Sequence, residues 1–340
     1  AVGAATGGNK RGTHAKGTCL SGEIELYEQT ENLFKKGPFG KWVKVPASIR
    51  FANASSTIQE DFVPDVRSIS FAFSVEGLRF DLSMNNDPVF TFGLLEDFNN
   101  FMSFALQSKT FGNTKEEREK NQKAFFTANP DIYQSVVRTE ALGNLQKNKN
   151  VSNYFTEAYY TGSAYLFGTK NAAKFRLDPC DGVDRSEPLK GKERVKTDTS
   201  YAEIKDFLQT RLATAVKDTP EKICFTLSVE LLDADKMKLP ENLQIWEKLD
   251  STLKAGETAQ PWQWVEYATL NWSEAREKAG LGKPIQLGKL TAVRDSMKSS
   301  KDCDDVKNAF NVNGNSFEDV RPIGRINRGR QEASNCSRNV

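Results

Sequence analysis

The chain has 340 residues, 38% of them hydrophobic and 27% charged, and its 47 Lys and Arg against 45 Asp and Glu leave a net charge of +2. So even a balance excludes a bulk field that would draw the chain to nucleic acid or to an anionic membrane surface. No apolar run reaches the roughly 18 residues of a membrane-spanning helix, and the length suffices for one large domain or two smaller ones.

The start, Ala1-Val2-Gly3, lacks Met and an apolar leader, as expected of a processed, exported chain or of a trimmed sequence. Residues 1–10 are small and Gly-rich and read as a flexible arm, with residues 11–340 as one domain. His14 is the only histidine and stands in the loop-like run Arg11-Gly12-Thr13-His14-Ala15-Lys16-Gly17, ahead of an alternating segment from Thr18 to Tyr27. A single histidine is by itself as readily structural as catalytic. From residue 17 to about 90 the pattern has period 2. Ile69, Phe71, Phe73 and Val75 alternate with Ser68, Ser70, Ala72 and Ser74, which predicts a half-buried strand. Glu76-Gly77 then turns the chain into Arg79–Met84, and strands joined by such short turns predict antiparallel pairing in a barrel or strongly bent sheet.

Leu94 to Ser108 changes to helical spacing, with Leu94, Phe98, Phe101, Met102 and Ala105 on one face. Residues 109–124 are highly charged and read as a solvated helix or loop, and a helical or irregular stretch follows to residue 150. Strands are predicted again at Tyr159–Phe167, Ala173–Leu177 and Ile223–Leu231. Between the last two, Ser200 and Glu203 form a capping box ahead of an amphipathic helix marked by Ile204, Phe207, Leu208, Leu212 and Ala215. Residues 233–290 are punctuated by Trp and Pro and predict a segment wrapping the surface. The polar tail from Asp302 ends in an Arg-rich stretch of helical propensity.

The five cysteines (Cys19, Cys180, Cys224, Cys303, Cys336) have no CxxC spacing, and beside one histidine they do not make a zinc site. Cys303 and Cys336 are a pairing open only in an oxidising compartment. Glycosylation sequons begin at Asn53, Asn150, Asn271 and Asn335.

Three segments, the run around His14, Ile49-Arg50-Phe51, and Asp81 to Phe90, resemble in order and spacing the catalase superfamily. They are most similar to its smaller branch of haem peroxidases and hydroperoxide-metabolising enzymes. The resemblance runs from about residue 10 to 338, through Leu287-Gly288-Lys289-Leu290 to the ending Arg321-Pro-Ile-Gly-Arg-Ile-Asn-Arg. It implies an α+β chain: a catalase-like antiparallel β-barrel, with strands at about 17–90 and 151–232. A helical insertion at about 94–150, a wrapping segment and C-terminal helices over 233–340 would complete it. It also implies haem b as cofactor, a peroxide or lipid hydroperoxide as substrate, and a monomer or dimer. His14 would be the distal histidine over the haem, with Asn85 the distal asparagine. Thr13 stands where catalases usually have Val, as in members similar to those acting on organic hydroperoxides. Arg11 and Arg50 would hold the propionates, Phe90 and Phe98 would line the pocket, and Arg330 would lie one helical turn before the axial ligand.

The chemistry agrees with these roles. Cleaving a peroxide bond needs a group that takes a proton from one oxygen and returns it to the other, which a neutral imidazole does near pH 7. An amide donates to the departing oxygen without titrating, and arginines pair bidentately with carboxylates. Two bland readings stand beside these: Arg50 as a charge at a barrel end, and Asn85-Asn86-Asp87-Pro88 as a turn. The pattern departs from the family at the axial ligand. The superfamily uses a tyrosine phenolate, the alignment puts Ser334 there, and no tyrosine follows Tyr267. Cys336, two residues on, would face the other side of a helix. Three explanations stand: haem bound through another group or water beside Ser334, Ser334 as a substitution made to disable the enzyme, and a haem-free protein keeping the fold for another binding role.

Overall fold

In the computed structural model, the described residues are 14–55, 58–61, 63, 65–86, 99–100, 114–130, 132–133, 151, 153–162, 165–168, 171–182, 205–232, 283–310, 315–322 and 327. Four strands open the fold: β1 (Gly17–Leu26), β2 (Val43–Asn53), β3 (Arg67–Val75) and β4 (Leu78–Asn85). Their period-2 alternation gives each strand one apolar face, and burying that face on one side of a sheet fixes the register. The β3–β4 hairpin closes through Glu76 and Gly77, both at positive φ (53° and 78°), the two-residue turn whose twist suits adjoining strands.

The remaining strands are β5 (Tyr159–Thr161), β6 (Tyr165–Phe167), β7 (Asn171–Pro179), β8 (Cys224–Leu232) and β9 (Ile285–Met297). The neighbour order β5-β4-β3-β2-β1-β9-β8-β7-β6, with β5 also paired to β7, closes eight strands into an antiparallel barrel and leaves β6 attached to β7. Closure removes the exposed sheet edges. The sequence reading needs two corrections here. Tyr159–Phe167 is two strands rather than one. Strand β9 lies within 233–340, which was expected to wrap and end in helices. Its inward phase shifts, Leu287 and Gly288 both being buried, where its pairing with β8 changes register between Leu227 and Ser228. Such an irregularity erases the alternation that marks a strand.

Three helices are described. α1 (Lys115–Ala128) is the charged segment, and its capping box joins Thr114 and Glu117. α2 (Phe207–Asp218) buries Phe207, Leu208, Leu212, Ala215 and Val216 along β9. α3 (Ser300–Ala309) begins at the N-cap Ser299. Asp206 is the N-cap residue of α2, whereas the Ser200–Glu203 box and Ile204 lie outside the described residues. The Leu94–Ser108 helix lies outside them too, except that Asn99 and Asn100 are helical. No helix among the described residues is long and apolar enough to cross a membrane. Disulfides join Cys19 to Cys303 and Cys180 to Cys224. Cys303 therefore pairs with Cys19, not with Cys336, because α3 packs against β1 beside it.

Aromatic side chains fill the barrel. Phe39, from the turn Gly37–Gly40, meets Phe80 at 5.6 Å and Phe175 at 6.0 Å near one end. Towards the other end Tyr154 stacks on Phe51 at 5.2 Å, and Phe51 reaches Phe225 across the interior at 6.2 Å. A polar knot closes that end. The fully buried Asp61 carboxylate takes the Lys16 ammonium at 2.8 Å and the Asn53 amide at 3.0 Å, and it accepts Leu208 N–H at 2.9 Å. Lys16 also pairs with Asp206 at 2.7 Å, Arg67 donates to the Asp61 carbonyl at 2.7 Å, and Tyr154 donates to Asn53 at 2.9 Å. Asn53 is 1% exposed and its amide is engaged, so this sequon is closed in the folded chain. Removing one partner of a buried ion pair strands the other charge. Asp61→Ala is expected to lower unfolding stability by about 3–5 kcal/mol, read in urea as a lower midpoint with an unchanged slope.

Candidate functional site

Cross-strand register decides which residues share a face. Thr18, Phe51, Ile69 and Met84 stand opposite one another, and Phe51, Ile69 and Met84 belong to the core. One position along, Gly17, Ala52, Ser68 and Asn85 form a row on the outer face, and Cys19, Arg50, Ser70 and Ser83 form the next. The outer face at this end of the barrel is therefore a floor of small side chains, bordered by Arg50 and Asn85. His14, three residues before β1, is at the same end.

His14 and Arg50 are in direct contact. His14 adopts φ 62°, a left-handed conformation uncommon for a residue with a β-carbon. Its N–H donates to the Ala54 carbonyl at 3.1 Å, and its carbonyl accepts from Arg50 Nη2 at 2.7 Å. Ala15 N–H continues the pairing to Ser55 O at 3.1 Å. Arg50 is only 3% exposed, and its Nε has no hydrogen-bond partner. Burial lowers the guanidinium to about 10, against the opposing pull of Tyr154 and Asp304. Arg50 thus stays a cation at neutral pH, buried beside an unfilled donor, and is not the solvated barrel-end charge of the bland reading. Gly17 makes its position possible: a β-carbon there would sit 2.4 Å from Arg50 Nη2 and 2.6 Å from Cζ.

The two adjacent asparagines divide their work. Asn85 ends β4 on the outer face, opposite Ser68 and Tyr160, two strands or roughly 10 Å of sheet from β2. Asn86, which the sequence reading placed only in a turn, is 2% exposed and holds the strand end in place. It exchanges bonds with Arg67, taking its N–H at the side-chain oxygen (2.8 Å) and donating its own N–H to the Arg67 carbonyl (2.8 Å). Its amide also donates to buried Glu157 at 3.1 Å.

Of the residues singled out from sequence, the fold brings His14 and Arg50 into contact and sets Asn85 on the same end and face. Arg11, Thr13, Phe90, Phe98, Arg330 and Ser334 lie outside the described residues. The sequence reading missed Lys16, Gly17, Asp61, Asn86 and Tyr154. A signal existed only for Gly17, a glycine at the start of a strand where a neighbour's side chain must lie close. Tyr154 is fully buried, which pushes its hydroxyl far above the ordinary range and keeps it a donor to Asn53. Among the described residues no group of acids, cysteines and histidine is arranged to hold a metal ion.

The asparagines give separable expectations. Asn86→Ala should cost about 1–3 kcal/mol of unfolding stability, because it leaves buried partners unsatisfied. Asn85→Ala should stay within about 0.5 kcal/mol of the parent. Equal losses in denaturant titrations would contradict this division.

The catalase family model matches residues 9–274 of the chain. Among solved structures, it is similar to a fungal catalase (TM-score 0.63, 14% identity, 96% of this chain and 58% of that one). Catalase A from Saccharomyces cerevisiae is similar at TM-score 0.63 and 16% identity, over 96% of this chain and 60% of that one. A bacterial catalase also has TM-score 0.63 and 16% identity, over 96% and 56%. The chain thus spans somewhat over half the length of these catalases. No match was found among curated proteins. With a matched segment covering most of the sequence and an eight-stranded antiparallel barrel of the same fold, the chain belongs to the catalase family.

Proposed function

We propose that the chain is a haem-dependent oxidoreductase acting on peroxides, with organic or lipid hydroperoxides as its substrates. The observation that carries this reading is the grouping of His14, Arg50 and Asn85 at one end of the barrel's outer face, where Arg50 is a buried cation with an unpartnered Nε. Such a guanidinium suits a carboxylate. The residues present fit haem on this side. Arg50, with Arg11, would hold its propionates. Phe90 and Phe98 would contact its ring, and Arg330 and Ser334 would lie on its far side.

Haem, when bound, supplies redox-active iron. The chain's own residues handle the protons. The His14 imidazole, neutral, accepts the proton of the peroxide's terminal O–H and returns it to the oxygen that departs. The Asn85 amide donates a hydrogen bond to that oxygen, stabilising the charge that develops there. A hydroxyl at Thr13, the residue before His14 in sequence, would make the pocket polar if it faces there as the family resemblance implies, and would favour a substrate with one substituted oxygen.

A second reading is favoured by Ser334. Ser334, aligned where the family has a tyrosine, would offer a neutral hydroxyl without the charge of a phenolate, and a haem-free member of the family using the same face for another ligand accounts for it. Absorption spectra separate the two. For the haem enzyme, the chain expressed with haem supplied should have a Soret band and turn over an organic hydroperoxide. His14→Ala should cut turnover by roughly 10²–10⁴-fold with the band retained. A band absent from the parent and gained by Ser334→Tyr, together with peroxide reactivity, would assign the parent to the haem-free reading with an intact distal side.

A further inference from the structure

We propose that Arg50 is a positioning residue for His14, a latch made possible by Gly17 that holds the histidine in its left-handed backbone conformation and so sets where the imidazole points. This rests on the reading of His14 as the proton-handling group, and adds to it a role for Arg50 that does not involve a bound anion.

Four observations converge. His14 is a residue with a β-carbon at φ 62°, a conformation it needs surrounding contacts to keep. Both of its backbone polar groups are engaged from β2 and the residues just after it, the N–H by Ala54 O at 3.1 Å and the carbonyl by Arg50 Nη2 at 2.7 Å. The Arg50 guanidinium, 3% exposed, spends a charge-assisted bond on a neutral carbonyl while its Nε has no partner. Lastly, a β-carbon at residue 17 would strike Nη2 at 2.4 Å, Cζ at 2.6 Å and the Phe51 carbonyl at 2.7 Å, so the latch requires glycine there. The rotation of one backbone bond at His14 redirects the whole side chain. A group that fixes that bond therefore controls the approach of the imidazole to a substrate oxygen, where displacements near 1 Å are costly.

The sole histidine makes the test direct. In the full chain labelled with ¹³C,¹⁵N-histidine, His14 gives the one Cε1–H cross-peak, observable without haem and without turnover. In the parent a single sharp peak is expected. Arg50→Gln, too short to reach the carbonyl, should shift, broaden or split it. Gly17→Ala keeps the charge but pushes the guanidinium away, and should do the same. Arg50→Lys, which keeps a cationic donor, should restore much of the parent spectrum. Backbone amide spectra report whether each variant has kept the barrel, and if Arg50→Gln does not fold, Gly17→Ala carries the test. An unmoved histidine peak in Gly17→Ala overturns the proposal, whether Arg50→Gln leaves the peak alone or moves it through charge alone. In the active holoenzyme the latch variants should lose roughly 10- to 100-fold in kcat with little change in KM. A chain that binds no haem and turns over no peroxide, yet displays the peak changes, would contradict the enzymatic reading and leave the latch standing.

Discussion

The Asp61 carboxylate is the interaction on which the rest of this structure depends. Fully buried, it joins three parts of the chain, the approach to β1 through Lys16, the end of β2 through Asn53 and the N-terminus of α2 through Leu208, while Arg67 at the start of β3 holds the Asp61 backbone carbonyl. A buried charge is tolerated only when its partners are all in place. Each partner therefore constrains the others, and the open end of the barrel becomes one defined arrangement of loops rather than a loose rim. The same demand holds Tyr154 against Phe51, because its hydroxyl must reach the amide that Asp61 orients.

What this constraint does for function follows from where the barrel has room. Its interior is taken up by phenylalanines and tyrosines in ring contact, so among the described residues the chemistry-bearing groups stand on the outer face. Lys16, held in the knot, is two residues from His14. Arg50, on the outer face of the neighbouring strand, takes the His14 carbonyl. The histidine thus lies between a buried ion pair on one side and a buried guanidinium on the other, and Gly17 supplies the space that the guanidinium needs.

The outer face is secured by covalent and polar means more than by apolar packing. The Cys19–Cys303 bridge fastens α3 beside Arg50, since Cys19 and Arg50 are cross-strand partners. A bridge closing so long a loop limits the freedom of the unfolded chain. At the far side of the same face, Asn86 ties the end of β4 to Arg67 and Glu157, and so fixes the position of Asn85 without using Asn85 itself. Two identical neighbouring residues serve different ends because strand alternation sends one to the surface and the other into a buried corner.

Much of the fold was legible in sequence because strand pairing leaves a local mark. The period-2 runs of β1, β3, β4 and β8 and the Glu76-Gly77 turn are decided by residues within a few positions of one another. His14 stood out as the only histidine, and the resemblance of its surroundings, of Arg50 and of Asn85 marked them as a group. The sequence by itself determined an antiparallel β-rich chain, its resemblance pointed to a closed barrel, and it singled out these three residues. Strand β9 was not legible, because its alternation breaks where its partner changes register. The Cys19–Cys303 bridge and the Lys16–Asp61 pair join residues far apart in the chain, which no local pattern encodes. Only the tertiary structure decided that the barrel closes by pairing β5 with β7, that Arg50 is buried against the His14 carbonyl rather than a solvated charge, and that Asn86 rather than Asn85 is the strand's anchor. The reason is the same in each case: closure, burial and partner choice are properties of chain segments brought together, and their cost or benefit exists only once water has been excluded between them.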